Sequence, residues 1–128
     1  MRRIIITLLG TCLLLMLVAC RGNKVEDATA EIYITKAEAI VDLLNEGNYE
    51  AVYDTFDDEM KTGLPVIAME ELTPIIKESG SFKEIDKASV EEEEGMYITV
   101  LVAKYSDENR IFTLTFNGDE EVAGLFIK

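Results

Sequence analysis

The chain has 128 residues, of which 48% are hydrophobic and 29% are charged, a balance typical of one globular domain. Its formal net charge of −13 argues against a nucleic-acid partner, because phosphate contacts need clustered Lys and Arg. Histidine is absent, so the usual base of catalytic triads and the commonest metal ligand are both missing. We therefore expect neither a metal site nor a cofactor.

The N-terminus has the pattern of a secretory signal. Residues 1–3 (MRR) are basic, and residues 4–19 form an almost continuous apolar run that ends at the small Ala19. A basic start, an apolar core and a small residue before the cleavage point are the three parts of such a signal. The sequence therefore predicts an exported protein.

Cys20 directly follows this run, and cleavage before it would also remove Cys12, leaving one unpaired cysteine in an exported chain. The sequence LVAC over residues 17–20 resembles the lipobox of bacterial lipoproteins. The resemblance implies a diacylglyceryl thioether on Cys20, cleavage before it and an acylated new N-terminus. Because two acyl chains anchor a protein durably, we expect it on the outer face of the bacterial cell membrane.

The N-terminal segment has two other interpretations. As an uncleaved membrane helix, residues 4–19 would extend about 24 Å, which is short for a hydrocarbon core of about 30 Å. A plain secreted signal would need a smaller residue near Leu17. The predicted organisation is a lipoprotein signal peptide over residues 1–19, a lipidated Cys with a short tether over 20–25, and a single domain over 26–128.

Helices are predicted in the first half of this domain. Apolar residues recur at helical spacing over residues 26–46, and Gly47 is a natural stop. Asn48 is the predicted cap of a second helix, and Thr55 is the predicted cap of a third. After a break at Leu64-Pro65, a fourth helix is predicted.

The fourth predicted helix covers residues 68–79 and contains a proline. Because Pro74 has no backbone N–H and fixes its own φ, it either kinks this helix or follows a cap at Thr73 that starts a shorter one.

From Phe82 the apolar pattern changes to a period of two, which indicates strands. The turns between them are predicted at Glu94-Gly95, residues 107–109 and Asn117-Gly118. Helices followed by an antiparallel meander give the α+β class. The predicted strands are residues 82–92, 96–105, 111–116 and 122–127.

Four segments between residues 37 and 128 carry a family resemblance: LLNEGNYEAVYDTFDDEMKTGL, GSFKEI, YITVLVAKY and FTLTFNGDEEVAGLFI. They resemble a family of small exported bacterial domains of unassigned function, placed with the cystatin-like, nuclear-transport-factor-2-like cone folds. The resemblance implies N-terminal helices packed on a curved four-stranded antiparallel sheet that encloses a pocket. The same domain occurs ahead of α/β-hydrolase domains, but the Gly-x-Ser-x-Gly motif of those enzymes is absent from this chain.

The second predicted helix begins an aromatic stripe that would line such a pocket, with apolar side chains from the fourth helix and the third strand facing it. Pockets of this kind are mostly apolar with a few polar groups, and a phenol supplies one. The alternative is that the same residues form an ordinary core between helix and sheet. The pocket candidates are Tyr49, Tyr53, Phe56, Leu72, Ile76, Phe112, Leu114 and Phe116.

Two acidic runs carry no site by themselves. Glu91 to Glu94 are consecutive, and strand residues alternate between faces, so their carboxylates do not converge on a calcium ion. Residues 57–59 are acidic because carboxylates are favoured at the start of a helix.

These patterns support a non-catalytic binding module for a small molecule or an envelope protein. A pocket-carboxylate lyase or isomerase is the alternative, for which Tyr53 with Asp54 or Asp42 would be needed. A third possibility is a homodimer through the sheet, because residues 96–105 are apolar on both faces.

Overall fold

The computed structural model describes residues 23–128, so the predicted signal peptide and Cys20 lie outside the described residues. After a two-residue edge strand, the helices come first and the long antiparallel strands follow, which confirms the predicted α+β class. In chain order the elements are β1 (Asn23–Lys24), α1 (Asp27–Glu46), α2 (Tyr49–Tyr53), α3 (Asp58–Gly63), α4 (Val66–Met69), α5 (Leu72–Glu78), β2 (Phe82–Glu93), β3 (Met96–Tyr105), β4 (Asn109–Phe116) and β5 (Val122–Ile127).

The sheet is an antiparallel meander in the order β1-β2-β3-β4-β5. The four predicted strands are all present, and the two-residue β1 adds a short edge beside the end of β2. The turn between β2 and β3 is at Glu94-Gly95 as predicted, with φ of 52° and 81°. Two successive positive φ values are typical of the tight hairpin turn that suits the twist of a sheet.

The long helix α1 packs against β2, β3 and β4. It ends as predicted, because Gly47 adopts the left-handed conformation (φ 75°) and its N–H donates to the Leu43 and Leu44 carbonyls. The apolar stripe of α1 is buried in the core, as its helical spacing requires. The buried residues of this stripe are Tyr33, Ala37, Ile40, Val41 and Leu44.

The predicted cap of the third helix is wrong. The residue that caps α3 is Asp57, whose Oδ1 accepts a hydrogen bond from the Met60 N–H at 2.8 Å. The hydroxyl of Thr55 instead donates to the Val52 carbonyl at 2.6 Å. Both residues are favoured cap types, and only the direction of the chain after α2 decides between them.

The predicted fourth helix is two helices, α4 and α5. Pro74 lies in the first turn of α5, where its missing N–H breaks no helical hydrogen bond, so no kink is required. Thr73 lies inside α5 and does not cap it, since Glu71 occupies that position.

The turn after β4 is longer than the predicted two-residue hairpin. Asn117 Oδ1 accepts hydrogen bonds from the N–H groups of Asp119 and Glu121. The positive φ of this loop, 64°, falls on Glu120 and not on Gly118. The Asn117 side chain therefore closes the turn by bonding to the backbone that follows it, and the loop between β4 and β5 has five residues.

The two faces of the sheet differ in what lies on them. The face under the helices, which we call the covered face, carries Thr99, Leu101, Ala103 and Tyr105 of β3 and Phe112, Leu114 and Phe116 of β4, all buried. The opposite side, which we call the open face, carries Ile98, Val100 and Val102 of β3. All three side chains are half-buried.

Candidate functional site

The structure divides the eight predicted pocket residues into two groups. Four are core residues with at most 1% of their surface exposed, and they pack between the helices and the covered face: Phe56, Phe112, Leu114 and Phe116. The other four lie on the short helices. Tyr49 and Ile76 line a pocket, while Tyr53 and Leu72 are half-buried beside the core.

This pocket, which we call the α1 pocket, lies where α1 ends and α2 and α5 pack beside it. Its volume is about 240 Å³. Its walls are apolar at Leu44 and Ile76, and most of the remaining lining is polar or charged. The lining residues are Leu44, Asn45, Glu46, Gly47, Tyr49, Thr73, Ile76 and Lys77.

Hydrogen bonds hold the polar side chains of the α1 pocket in place. The hydroxyls of Tyr49 and Thr73 are hydrogen-bonded to each other, which joins α2 to α5. Asn45 Oδ1 accepts a hydrogen bond from the Tyr105 hydroxyl at 2.5 Å, which joins α1 to β3. The two hydroxyls and the amide are therefore positioned before any molecule enters the pocket.

The side-chain amide nitrogen of Asn45 has no such bond. It is buried, and no residue among 23–128 accepts a hydrogen bond from it. An amide –NH₂ carries two donors, and a buried donor without an acceptor costs about 1–3 kcal/mol. Asn45 lines the α1 pocket, but its amide nitrogen lies behind the pocket surface, so an acceptor reaches it only when the lining moves aside.

Tyr105 stays a proton donor in this environment. Burial raises the pKa of its phenol and outweighs the Asn45 hydrogen bond and the Arg110 charge, both of which lower it. The Asp42 carboxylate has the smallest effect and raises the pKa of the phenol a little further. The neutral phenol therefore holds Asn45 in one orientation and does not act as a base near neutral pH.

Arg110 makes a hydrogen bond and an ion pair at the same end of the sheet. Its Nε donates to Ser79 Oγ at 2.6 Å, and its other arm reaches Glu108 at 3.1 Å. Ser79 is fully buried at the end of α5, and its own hydroxyl donates to the Ile75 carbonyl. This chain of bonds ties α5, one wall of the α1 pocket, to β4.

The carboxylates proposed for a lyase or isomerase are not brought together. Asp42 and Asp54 are both exposed, and no Asp or Glu in residues 23–128 is buried. The acidic run at Glu91 to Glu94 occupies the end of β2 and its turn, as expected for a solvated strand end. In this part of the chain, no cluster of three or more Asp, Glu, Cys or His side chains is arranged to hold a metal ion.

Two other depressions lie along α1, with volumes of about 410 and 430 Å³, but they are wider and more open to solvent. One runs between the start of α1 and β2, and the other follows the outer side of α1 past Ile32. Neither is lined by a buried polar group that lacks a partner. We therefore take the α1 pocket as the candidate site.

Six lining residues were not among the predicted pocket residues, and neither was Tyr105, which bonds to Asn45 from β3; the six are Leu44, Asn45, Glu46, Gly47, Thr73 and Lys77. The position of Asn45 could have been predicted from the sequence. It is a polar residue four positions after Val41, on the same helix face as the buried apolar stripe. Tyr105 is the last residue of β3, and its distance of 60 positions from Asn45 left no local pattern to read.

Fold and pocket together define a small α+β domain with helices on one face of an antiparallel sheet. The chain belongs to the family DUF3887, described as a protein of unknown function, whose family model matches residues 37–125. The expected membership of a family without an assigned function is thereby confirmed.

A solved structure shares this fold. The NMR structure of a protein from Ruminococcus gnavus ATCC 29149 superposes with a TM-score of 0.66 at 17% identity, over 80% of this chain and 90% of that one. At this identity the likeness concerns the fold alone. No curated protein matches the chain. Within residues 23–128, every helix is too short or too polar to cross a lipid bilayer.

Proposed function

We propose that this protein is a membrane-anchored, extracytoplasmic lipoprotein whose domain binds a small uncharged molecule in the α1 pocket. The observation that carries the proposal is the buried Asn45 amide nitrogen, which lacks an acceptor beside the apolar walls of Leu44 and Ile76. Helices over one face of an antiparallel sheet also support placing the domain with the cystatin-like, nuclear-transport-factor-2-like folds.

The pocket chemistry narrows the ligand class. A ligand that displaces the lining and reaches the Asn45 –NH₂ group must offer it an acceptor, and a carbonyl oxygen is the simplest choice. The volume of about 240 Å³ lies below the 300–1,000 Å³ usual for drug-sized ligands, so the molecule is small. Glu46 and Lys77, of opposite charge, both line the pocket, so neither sign of ligand charge is favoured.

A binding role fits this site better than the lyase or isomerase alternative. That chemistry needs a positioned carboxylate base within hydrogen-bond reach of the substrate. The carboxylate on the pocket lining, Glu46, is exposed, and so is Asp42 one turn before it. The hydrogen-bonded polar groups of the pocket are therefore an amide and hydroxyls, which orient a ligand through hydrogen bonds.

Ligand binding is tested by NMR on the ¹⁵N-labelled full chain in detergent micelles. We expect cyclopentanone, which has a carbonyl acceptor, to shift the Asn45 side-chain amide resonances in a saturable way. Cyclopentane, which has the same ring without the acceptor, should shift them far less. The Asn45→Leu variant, followed at the backbone amide resonances of the lining residues Leu44 and Gly47, should respond equally to both probes. Equal responses to both probes, or none, would contradict the proposal.

Anchoring is tested separately by the intact mass of the protein recovered from bacterial membranes. We expect loss of residues 1–19 and a mass increase from a diacylglyceryl group and an additional acyl chain at Cys20. The Cys20→Ser variant should keep its leader and gain no lipid, while Cys12→Ser should be processed like the wild type. An unmodified Cys20 thiol in the native product would refute the anchor.

A further inference from the structure

The open face of the sheet is an apolar surface that no residue among 23–128 covers. Three large apolar side chains with substantial exposure lie on it: Met96, Ile111 and Phe126. Phe126 is 71% exposed, an unusual position for a phenylalanine in a strand. Exposed apolar patches of this kind mark interaction surfaces more often than isolated exposed residues do.

The strand register arranges this face around one central row. Ser89, Val100, Thr113 and Phe126 are neighbours across the sheet, from β2 to β5. The row on one side is Lys87, Val102, Ile111 and Lys128, and the row on the other is Glu91, Ile98, Thr115 and Gly124.

We propose that a second copy of this chain covers the open face, related by a twofold axis that runs along the central row. Such an axis lies in the interface and exchanges the two flanking rows, so each surface must complement itself. Val102 then meets Ile98 of the second copy, and Phe126 lies over Phe126 of the second copy. Ile111 meets Thr115 of the second copy, so the apolar contacts are concentrated on the central row and on Val102 with Ile98.

The charge pair nearest the axis favours this arrangement, although the same axis places Glu93 opposite Glu84 of the second copy. The same axis places Lys87 over Glu91 of the second copy, and it does so twice. Lys104 is paired within its own copy by Asp86 at 3.6 Å, whereas Lys87 makes no salt bridge among residues 23–128. If the strands of both copies ran in the same direction, Lys87 would instead lie at the end of the interface where the second copy also has its lysines. Like charges would then face one another.

The size of the face is sufficient for a dimer of modest strength. With a rise of about 3.3 Å per residue and strands about 4.8 Å apart, the face measures roughly 500 Å² per copy. The two copies together bury on the order of 1,000 Å², which is the lower limit for a specific interface. We therefore expect a dimer whose population depends on protein concentration.

The first test is the protein mass of the full chain in detergent micelles, measured by light scattering with the detergent contribution subtracted. We expect the mass to rise with concentration toward twice 14.3 kDa. Phe126→Lys should return it to one copy. Ile67→Lys is the matched control, because Ile67 is 75% exposed on α4 and not on the sheet. A monomer at every concentration would overturn the proposal.

The second test swaps the charges that set the orientation. Lys87→Glu and Glu91→Lys should each weaken the dimer, because each places like charges opposite one another. The double variant Lys87→Glu/Glu91→Lys should restore it. Since both side chains are exposed, circular dichroism should show an unchanged fold in all three. A double variant as weak as the single ones would refute a twofold axis along the central row.

A carbodiimide cross-link distinguishes the other occupants that could cover the face. In a mixture of ¹⁴N- and ¹⁵N-labelled chains, we expect a Lys87–Glu91 cross-link between peptides of different label. Protection of Phe126 from solvent in a monomer of the unprocessed chain would instead assign the face to residues 1–22 of the same chain. That result would also overturn the proposal.

Discussion

The Tyr105 hydroxyl donates a hydrogen bond to Asn45 Oδ1 at 2.5 Å, across 60 positions of the chain. One residue ends β3 and the other lies in the last turn of α1, so the bond fixes the end of the long helix on the sheet. Since Asn45 also lines the α1 pocket, the same bond sets which way its amide faces.

Tyr105→Phe should destabilise the domain by about 1–3 kcal/mol, because the variant leaves Asn45 Oδ1 buried without its donor. Asn45→Leu/Tyr105→Phe should recover part of that loss, since both polar partners are then replaced by apolar groups. Urea unfolding of the two variants and of Asn45→Leu gives the coupling free energy. A Tyr105→Phe variant as stable as the wild type would mean that the bond contributes nothing.

Stability should fall in alkaline solution. Burial raises the pKa of the Tyr33 and Tyr105 phenols, while in the unfolded chain a tyrosine ionises near pH 10. Their contribution is complete below about pH 10 and is lost as the pH rises through the higher folded values, because the unfolded chain releases its protons first. Urea midpoints from pH 8 to 11 measure this loss.

The matched control for the alkaline loss is the variant Tyr33→Phe/Tyr105→Phe. Its stability should decline less steeply above pH 10 than that of the wild type, although lysines titrate in the same range. In the wild type, phenolate absorbance near 295 nm should show two tyrosines that ionise only at a pH above the ordinary value near 10. Identical slopes in both proteins would show that the two phenols are not the cause.

Gly80→Ala should be more damaging than Gly95→Ala. Both glycines have positive φ, 89° and 81°, so both substitutions cost about 1–2 kcal/mol for the backbone conformation. At Gly80 the new methyl would also lie 2.0 Å from Ser106 Oγ, whereas at Gly95 nothing lies within 4 Å. Thermal unfolding of the two variants should therefore give clearly different melting temperatures. Equal losses would contradict the close packing at Gly80.

Asp57→Ala should destabilise the domain by about 1 kcal/mol, because it removes the cap of α3. Thr55→Ala loses only a hydrogen bond to the Val52 carbonyl and should cost less. The exposed Asp58→Ala is the control for removing a charge without removing the cap. If Thr55→Ala proved the more damaging substitution, Thr55 and not Asp57 would be the effective start of α3. Urea unfolding decides between them.

The sequence by itself determined the fold class and the places where the long elements begin and end. Gly47 ends α1 and Gly95 closes the turn from β2 to β3, because glycine adopts positive φ without steric cost. The apolar stripe of α1 and the two-residue period of β4 likewise depend only on which neighbours face the same way. These signals come from residues close together in the sequence, so they do not depend on tertiary contacts.

The predictions that changed were those that depended on neighbours distant in sequence. Phe56, Phe112 and Phe116 are aromatic in a pattern that fits a pocket wall or a core equally well, and only tertiary packing made them core. The same packing moved the cap from Thr55 to Asp57: Val122 bonds to both the Thr55 carbonyl and the Asp57 N–H, so residues 55–57 pair with β5 and the helix begins after them.

Tertiary structure alone decided which polar groups share the candidate site. Asn45, Thr73 and Tyr105 come from three elements, and their meeting depends on how α1, α5 and β3 pack. Spacing along the chain describes a helix or strand one element at a time. A pocket and an unpaired amide are properties of the contact between elements, so they exist only once the chain has folded.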